Sequence, residues 1–384
     1  MKTRVAHHLL LVLIPGVFAV LLAIPGPAWA KVFFYAIAEE DGGLIKYDTD
    51  ANLIVQVQAN LGQPYINYRN TDHDYEPGPS RVLDVARGRI VSITGVGPGV
   101  VLINLRARTA REIAVQADPD MYAELQHFVY LRQGSRFYIF WLKHSLTNPT
   151  APPEPMLTAV DLDGRVLATT PAPIAARLGF SQAHPDGQTF YVFNEPNEIL
   201  RIDGETLAVR ERHDVSSFYR AGAARRAVRE VRDGRALLVE WEGTRNDQLD
   251  PVTLFTVDLA TRTASPRIIT GLGEARVRLV PGGRTVVLQE AIAPHDVAGA
   301  GKLHVYDIAT GNKLGTVTFP ADEGAIPLAF HPDGRRLFIH VLGTDPTTRE
   351  PASRLVIVDV VARSVLVGRP FEQIGVAVDF VDEP

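Results

Sequence analysis

A short β-rich run returns seven times along this chain of 384 residues, and in the later copies a glycine-centred turn precedes it. The copies open at Phe33, Ile90, Phe137, Phe190, Leu237, Val286 and Phe338, so that their starts lie 57, 47, 53, 47, 49 and 52 residues apart. An alternating strand follows each run and ends at Asp48, Asn104, Asp161, Asp203, Asp258, Asp307 or Asp359. After a tight turn comes a third β-like run, as at residues 53–58, 112–116 and 313–318. Internal periods of this length define the fold before any single residue does.

The turn ahead of the apolar run repeats as well. His184-Pro185-Asp186-Gly187 and His331-Pro332-Asp333-Gly334 are its full form, and residues 231–234, 280–283, 86–88 and 132–134 are weaker versions. Proline presets φ, Asp bonds the local backbone and Gly takes the positive φ. Such a turn joins antiparallel strands tightly. Each unit therefore reads as four strands, a to d, in a meander of about 50 residues. Beyond residue 30 the chain begins directly with a b strand, and residues 375–381 supply the missing a strand from the other end. The expectation is an all-β, seven-bladed β-propeller of four-stranded antiparallel blades, closed by N- and C-terminal strands in one blade. Residues 118–125 and 173–178 are expected to make a helical turn or two.

These strand–Pro-Asp-Gly–strand–Asp-turn units resemble YVTN-type propeller repeats, most closely at residues 184–192 and 331–341. The chain is also similar over residues 31–384 to the large propeller subunits of periplasmic amine dehydrogenases. In those families the quinone cofactor sits on a separate small subunit, so the resemblance implies a chain without its own redox group. Only Trp141 and Trp241 lie beyond residue 30, too few for propellers marked by one tryptophan per blade.

Lys2 and Arg4, the apolar stretch 9–24 and Ala28-Trp29-Ala30 have the three-part form of a secretory signal. Cleavage after Ala30 is expected, against a retained anchor whose span would be short and interrupted by Pro15. The remainder carries 37 basic and 44 acidic residues, a net −7 that gives nucleic acid no general attraction. There is no cysteine, which excludes disulfides, thiolate metal sites and a cysteine nucleophile. The periplasm or the outside of the cell is the expected location, with no membrane contact after cleavage.

In such a meander the a–b and c–d turns share one face and the b–c and d–a connections the other. The long segments, 60–79, 143–155, 210–224, 243–251, 291–301 and 343–353, all belong to the second set. Binding residues gather on loops held by a rigid scaffold. The candidates are Tyr65, Tyr68, Asp72, His73, Asp74 and Tyr75, with His144, Asp247, His295, Asp296 and Asp345 on neighbouring segments. Aromatics among acids and a His suit a polar ligand, a divalent ion or a protein surface, while the plainer expectation is a solvated loop packed on the rim. No spacing fixes a metal pair, so no metal is assigned and the cofactor is left open. His184 and His331 are expected to be turn residues, and the Asp that ends strand c to cap the following turn. The basic run 220–235 reads as a solvated edge open to an acidic partner. Residues 48–59 lack the Gly and Glu of a calcium loop, and no nucleophile elbow, zinc-protease or phosphate-loop motif occurs. The leading expectation is an exported, non-catalytic propeller that binds a protein partner or small ligand on its long-loop face. A metal-assisted, lactonase-like hydrolase using Asp72, His73, His295 and Asp345 is one alternative, and a propeller subunit of a periplasmic redox complex is the other.

Overall fold

Apolar runs with no polar alternation make strands buried on both faces; all seven runs become strands, and the six whose side chains are described are buried. The computed structural model describes residues 31–38, 44–51, 53–58, 81–84, 89–93, 99–104, 109–114, 120–131, 133–174, 178–194, 197–223, 225–241, 252–270, 277–289, 301–319, 324–344, 351–370 and 374–383. They form seven antiparallel sheets, counted here in chain order. The first holds β1 (Lys31–Ala38), β2 (Leu44–Asp48) and β3 (Leu53–Gln58). The second is β4 (Arg81–Asp84), β5 (Arg89–Ile93), β6 (Gly99–Asn104) and β7 (Thr109–Ala114). The third is β8 (Met121–Leu131), β9 (Arg136–Ser145), β10 (Glu154–Asp161) and β11 (Val166–Pro171). The fourth is β12 (Leu178–Ala183), β13 (Thr189–Asn194), β14 (Glu198–Asp203) and β15 (Val209–Asp214). The fifth is β16 (Arg225–Arg232), β17 (Arg235–Trp241) and β18 (Val252–Asp258), with an outer strand in two pieces, β19 (Thr263–Ala264) and β20 (Ile268–Ile269). The sixth is β21 (Val277–Leu279), β22 (Thr285–Gln289), β23 (Lys302–Asp307) and β24 (Lys313–Thr318). The seventh is β25 (Gly324–Phe330), β26 (Arg336–Thr344), β27 (Pro351–Asp359) and β28 (Ser364–Pro370). Finally β29 (Ile374–Glu383) returns to the first sheet, antiparallel to β1 in the order β29-β1-β2-β3.

Every apolar run falls on the second strand of its sheet, and each strand-ending Asp or Asn closes the third. The expected helical turn at 118–125 is not formed: Met121 onward is strand β8, paired with β9 as far as Ser145. Cross-strand pairing with an unusually long neighbour overrides the weak local preference. Residues 175–177 of the second expected turn lie outside the described residues, and Leu178 starts β12. The fourth run of the second sheet sits at Thr109–Ala114, slightly ahead of its expected place.

Successive side chains on a strand point to opposite faces, so one strand feeds two cores. Leu237 and Val239 pack with Val286 and Leu288 of the sixth sheet, while Ala236 and Leu238 pack with Phe193 and Ile199 of the fourth. Val129, Phe140 and Leu157 likewise meet Phe190 and Leu200 between the third and fourth sheets. Phe338 of the seventh sheet lies 5.1 Å from Phe34 of the first, ring centre to ring centre. The first strands of neighbouring sheets also touch, along β8, β12, β16 and β21 and again along β25, β29 and β4.

The sequence period reappears as the spacing of bonds between sheets. Val231 N–H donates to Gln182 Oε1 (3.1 Å) and Leu279 N–H to Glu230 Oε2 (3.0 Å), each pair 49 residues apart. Gly282 N–H reaches Asp233 Oδ2 at the same spacing, and Arg262 reaches the Asp214 carbonyl over 48 residues. Tyr138 ties the third sheet to the fourth by donating its hydroxyl to the Gly204 carbonyl (2.6 Å). At that crossing a Cβ on Gly204 would stand 2.7 Å from the Gln188 carbonyl oxygen, which is why glycine follows Asp203.

The capping aspartates do what their positions suggest. Asp48 Oδ1 accepts from Asp50 and Ala51 N–H, and Asp203, Asp258 and Asp359 repeat the arrangement. The Ala51 bond is foremost in holding the Asp48 carboxyl below its ordinary range. His184 and His331 are turn residues too: the Nδ1 of each accepts the N–H two residues on, from Asp186 and Asp333. Nε2 of His331 also meets Thr49 Oγ1 at 3.3 Å, joining the seventh sheet to the first.

His340, fully buried on β26 opposite Ile326 and Leu355, makes a prediction about acid. Burial lowers its pKa from 6.5 to about 4, so the folded state binds fewer protons than the unfolded chain between those values. Stability is therefore full above pH 6.5 and falls as the pH drops towards 4, by about 3 kcal/mol in all. Urea midpoints at pH 7 and 4.5 should differ accordingly in the native chain and much less in His340→Leu. An equal loss in both would place the acid sensitivity elsewhere.

Candidate functional site

The tight turns and the longer connections leave the sheets from opposite ends. Residues 162–165, 204–208, 259–262 and 308–312 close c–d turns, while 146–153 and 215–223 belong to the other end. Most of the candidates named above, Tyr65, Tyr68, Asp72, His73, Asp74, Tyr75, Asp247, His295, Asp296 and Asp345, lie outside the described residues. His144 is described, and it stands on strand β9 rather than in a loop. The connection expected at 143–155 is shortened because β9 runs to Ser145 and β10 starts at Glu154.

His144 pairs across the ladder with Tyr122, near the start of the first strand of its sheet. Its Nε2 lies 3.0 Å from Glu124 Oε2, and the other carboxylate oxygen accepts from Gln126 Nε2 at 2.7 Å. The Tyr122 ring centre is 5.7 Å from the imidazole, and Tyr122 is 53% exposed, with Leu146 exposed beside it. A register shift between Leu125 and His127 leaves Gln126 as the bulged residue, and a bulge re-aims side chains next to it. In the neutral imidazole the carboxylate fixes the hydrogen on Nε2, which leaves the Nδ1 lone pair to accept a hydrogen bond. Tyr122 and Glu124 escaped the sequence reading because residues 118–125 were read as a helical turn. Their alternation, Tyr122-Ala123-Glu124 with Ala123 buried, was the available signal.

A second cluster on the same face holds the 215–223 connection. Glu240, 1% exposed, accepts from Arg220 N–H (2.9 Å), Arg220 Nε (2.6 Å) and Arg267 Nε (3.2 Å). Arg220 NH2 continues to Thr253 Oγ1 at 2.6 Å. Burial opposes ionisation of Glu240, but the Arg220 and Arg267 bonds outweigh it and lower the pKa. Tyr219 meets Phe255 edge-on at 5.9 Å, and the guanidinium of Arg226 lies 5.3 Å from the Tyr219 ring. Arg229 lies 5.4 Å from the Trp241 ring. The basic run is thus not simply a solvated edge, since Arg220, Arg226 and Arg229 work inside the fold.

Among the described residues no three His, Asp or Glu side chains gather as a metal site requires. No family model matches the chain, and no curated protein resembles it in sequence. Among solved structures it is similar to the dihydro-heme d1 dehydrogenase NirN in complex with DHE, with a TM-score of 0.52 and 11% identity over 91% of this chain and 75% of that one. An oligogalacturonate lyase in complex with manganese aligns over 74% of this chain and 73% of its own, at 15% identity and a TM-score of 0.46, too low to carry an argument. The first likeness speaks for the fold and not for the reaction. With its separate antiparallel sheets packed face against face, the chain has an all-β fold of the β-propeller kind.

Proposed function

We propose that this chain is an exported seven-bladed propeller that binds a protein partner or small ligand on its long-connection face. In this reading the sheet that unites β29 with β1 closes the ring, and the leader at residues 1–30 directs the chain to the periplasm or beyond. The observation that carries it is the placement of Tyr122, Glu124 and His144: exposed or half-exposed, on the face of the long connections, at the head of a first strand. In the proposed ring the first strands are innermost, which puts these side chains at the mouth of the channel. No catalytic role is assigned to them, and the 11% identity to NirN brings neither its ligand nor its chemistry here.

The test is capture from a periplasmic extract with immobilised chain, scored on whichever species the native protein retains. Replacing residues 60–79 by a short linker, or Tyr122→Ser with Glu124→Gln, should remove that species. Arg165→Ala, on the opposite face beside Asp161, should keep it. Retention by all three variants would refute the assignment of the face.

A further inference from the structure

In a protein built from one repeated sheet, a boundary unlike the others holds something that the scaffold does not require. Two departures coincide between the fifth and sixth sheets. The outer strands β11, β15, β24 and β28 run unbroken for six or seven residues, whereas β19 and β20 have two each. The break is Ser265-Pro266-Arg267, where proline offers no N–H to the ladder. Ser265 covers the gap: its N–H donates to the Thr256 carbonyl (2.8 Å) and its Oγ accepts from Thr256 N–H (2.9 Å).

The second departure is electrostatic. The arginine after the a–b turn faces the aspartate that ends strand c, and in the seventh sheet Arg335 grips Asp359 at 2.6 Å. At the odd boundary the same pairs are slack, with Arg235 at 4.0 Å from Asp258 and Arg284 at 3.5 Å from Asp307. Arg235 NH1 donates across the boundary to the Gly283 carbonyl (3.0 Å), and the Arg284 side chain is 81% exposed. Each aspartate spends Oδ1 on its own turn, Asp258 on the Ala260 and Thr261 N–H groups and Asp307 on Thr310, and keeps Oδ2 towards its arginine across the longer gap, so each guanidinium retains donors for a further acceptor. Between the arginines lies a cleft of about 240 Å³ whose walls include Thr256, Asp258, Ser265 and Gly283.

We propose that this cleft binds the oxyanion group of a small molecule, a carboxylate or a phosphate, between the guanidinium groups of Arg235 and Arg284. Guanidinium forks take such groups two oxygens at a time. The cleft is small for a ligand site, which limits the guest to a few heavy atoms or to the charged end of a larger one. It lies at the tight-turn end of the sheets, away from Tyr122 and His144, so this site and the proposed binding face stand or fall separately. It also gives a use to Arg235, the last arginine of the basic run.

Isothermal titration with inorganic phosphate and with citrate, at constant ionic strength set by chloride, tests the site. At least one should bind saturably. Arg284→Gln should weaken it about tenfold, a loss of about 1.4 kcal/mol. Arg335→Gln, the same position one boundary on, should leave it unchanged. Phosphate binding more tightly than citrate names a phosphorylated guest, and the reverse names a carboxylate. Absence of saturable binding by either probe, or an unchanged affinity in Arg284→Gln, overturns the proposal. Arg284 is exposed enough that its replacement leaves folding intact.

Discussion

Removing residues 374–384 should abolish cooperative unfolding, and the shortened chain should collect in the insoluble fraction. β29 is registered against β1 from Lys31 opposite Glu383 to Ala38 opposite Ile374, so its loss uncovers the whole edge of β1 that faces away from β2. A long unpaired strand edge is a template for association with other chains. The damage does not stop at one ladder, because β29 also packs on β25 and on β4 and so supports two sheet boundaries. Phe34, fully buried against Phe338, sits on the strand left uncovered. Domain stability is about 5–15 kcal/mol, and losing a ten-residue strand with its full ladder to β1 and its support of two neighbouring sheets should exceed that margin. The companion experiment moves residues 374–383 ahead of Lys31 through a short turn, which the adjacency of Glu383 and Lys31 permits. That permuted chain should regain a sharp thermal transition close to the native one. A truncated chain that still melts cooperatively within a few degrees of the native protein would show that β29 merely decorates the first sheet.

What was legible in the sequence is what repeats locally. Strands buried on both faces announce themselves as unbroken apolar runs, and the Asp-ended turns depend on residues within four positions of one another. The pairing of β29 with the first strand was legible for a related reason, since leftovers at the two ends of a repeat must complement each other. His144 was misplaced because β8 and β9 are longer than the unit predicts, and their extra pairs, Tyr122–His144 among them, are non-local. Glu240 was passed over for a subtler reason. It occupies the fourth position of the repeated run, where the third and fourth sheets have Phe140 and Phe193, and only the comparison of copies makes a carboxylate there conspicuous. Its partners Arg220 and Arg267 come from the preceding connection and from the break in the outer strand, so no spacing rule assembles them.

Replacing that carboxylate is the second test with a large expected effect. Glu240→Ala removes the buried carboxylate that takes Arg220 N–H and the Nε of both Arg220 and Arg267; because the two guanidinium groups are over a third exposed and can turn to water, the loss is about 1.5–3 kcal/mol. Glu240→Gln keeps an acceptor for Arg220 N–H but loses the charge, and should fall between native and alanine. Below about pH 4.5 the native protein itself should approach the glutamine variant. The Glu240 pKa is lowered on folding, so its contribution is present above the unfolded value and fades as the pH falls through the folded one. The structural consequence is specific to one place. Arg220 belongs to the 215–223 connection, so this segment should lose amide-exchange protection at a free energy well below global unfolding. If the proposed binding face is correct, ligand or partner affinity should drop in Glu240→Gln although Glu240 itself is 1% exposed and touches nothing outside the fold. A Glu240→Ala chain that melts with the native protein, its 215–223 amides still protected, would mean that the two arginines find water as readily as they find this carboxylate.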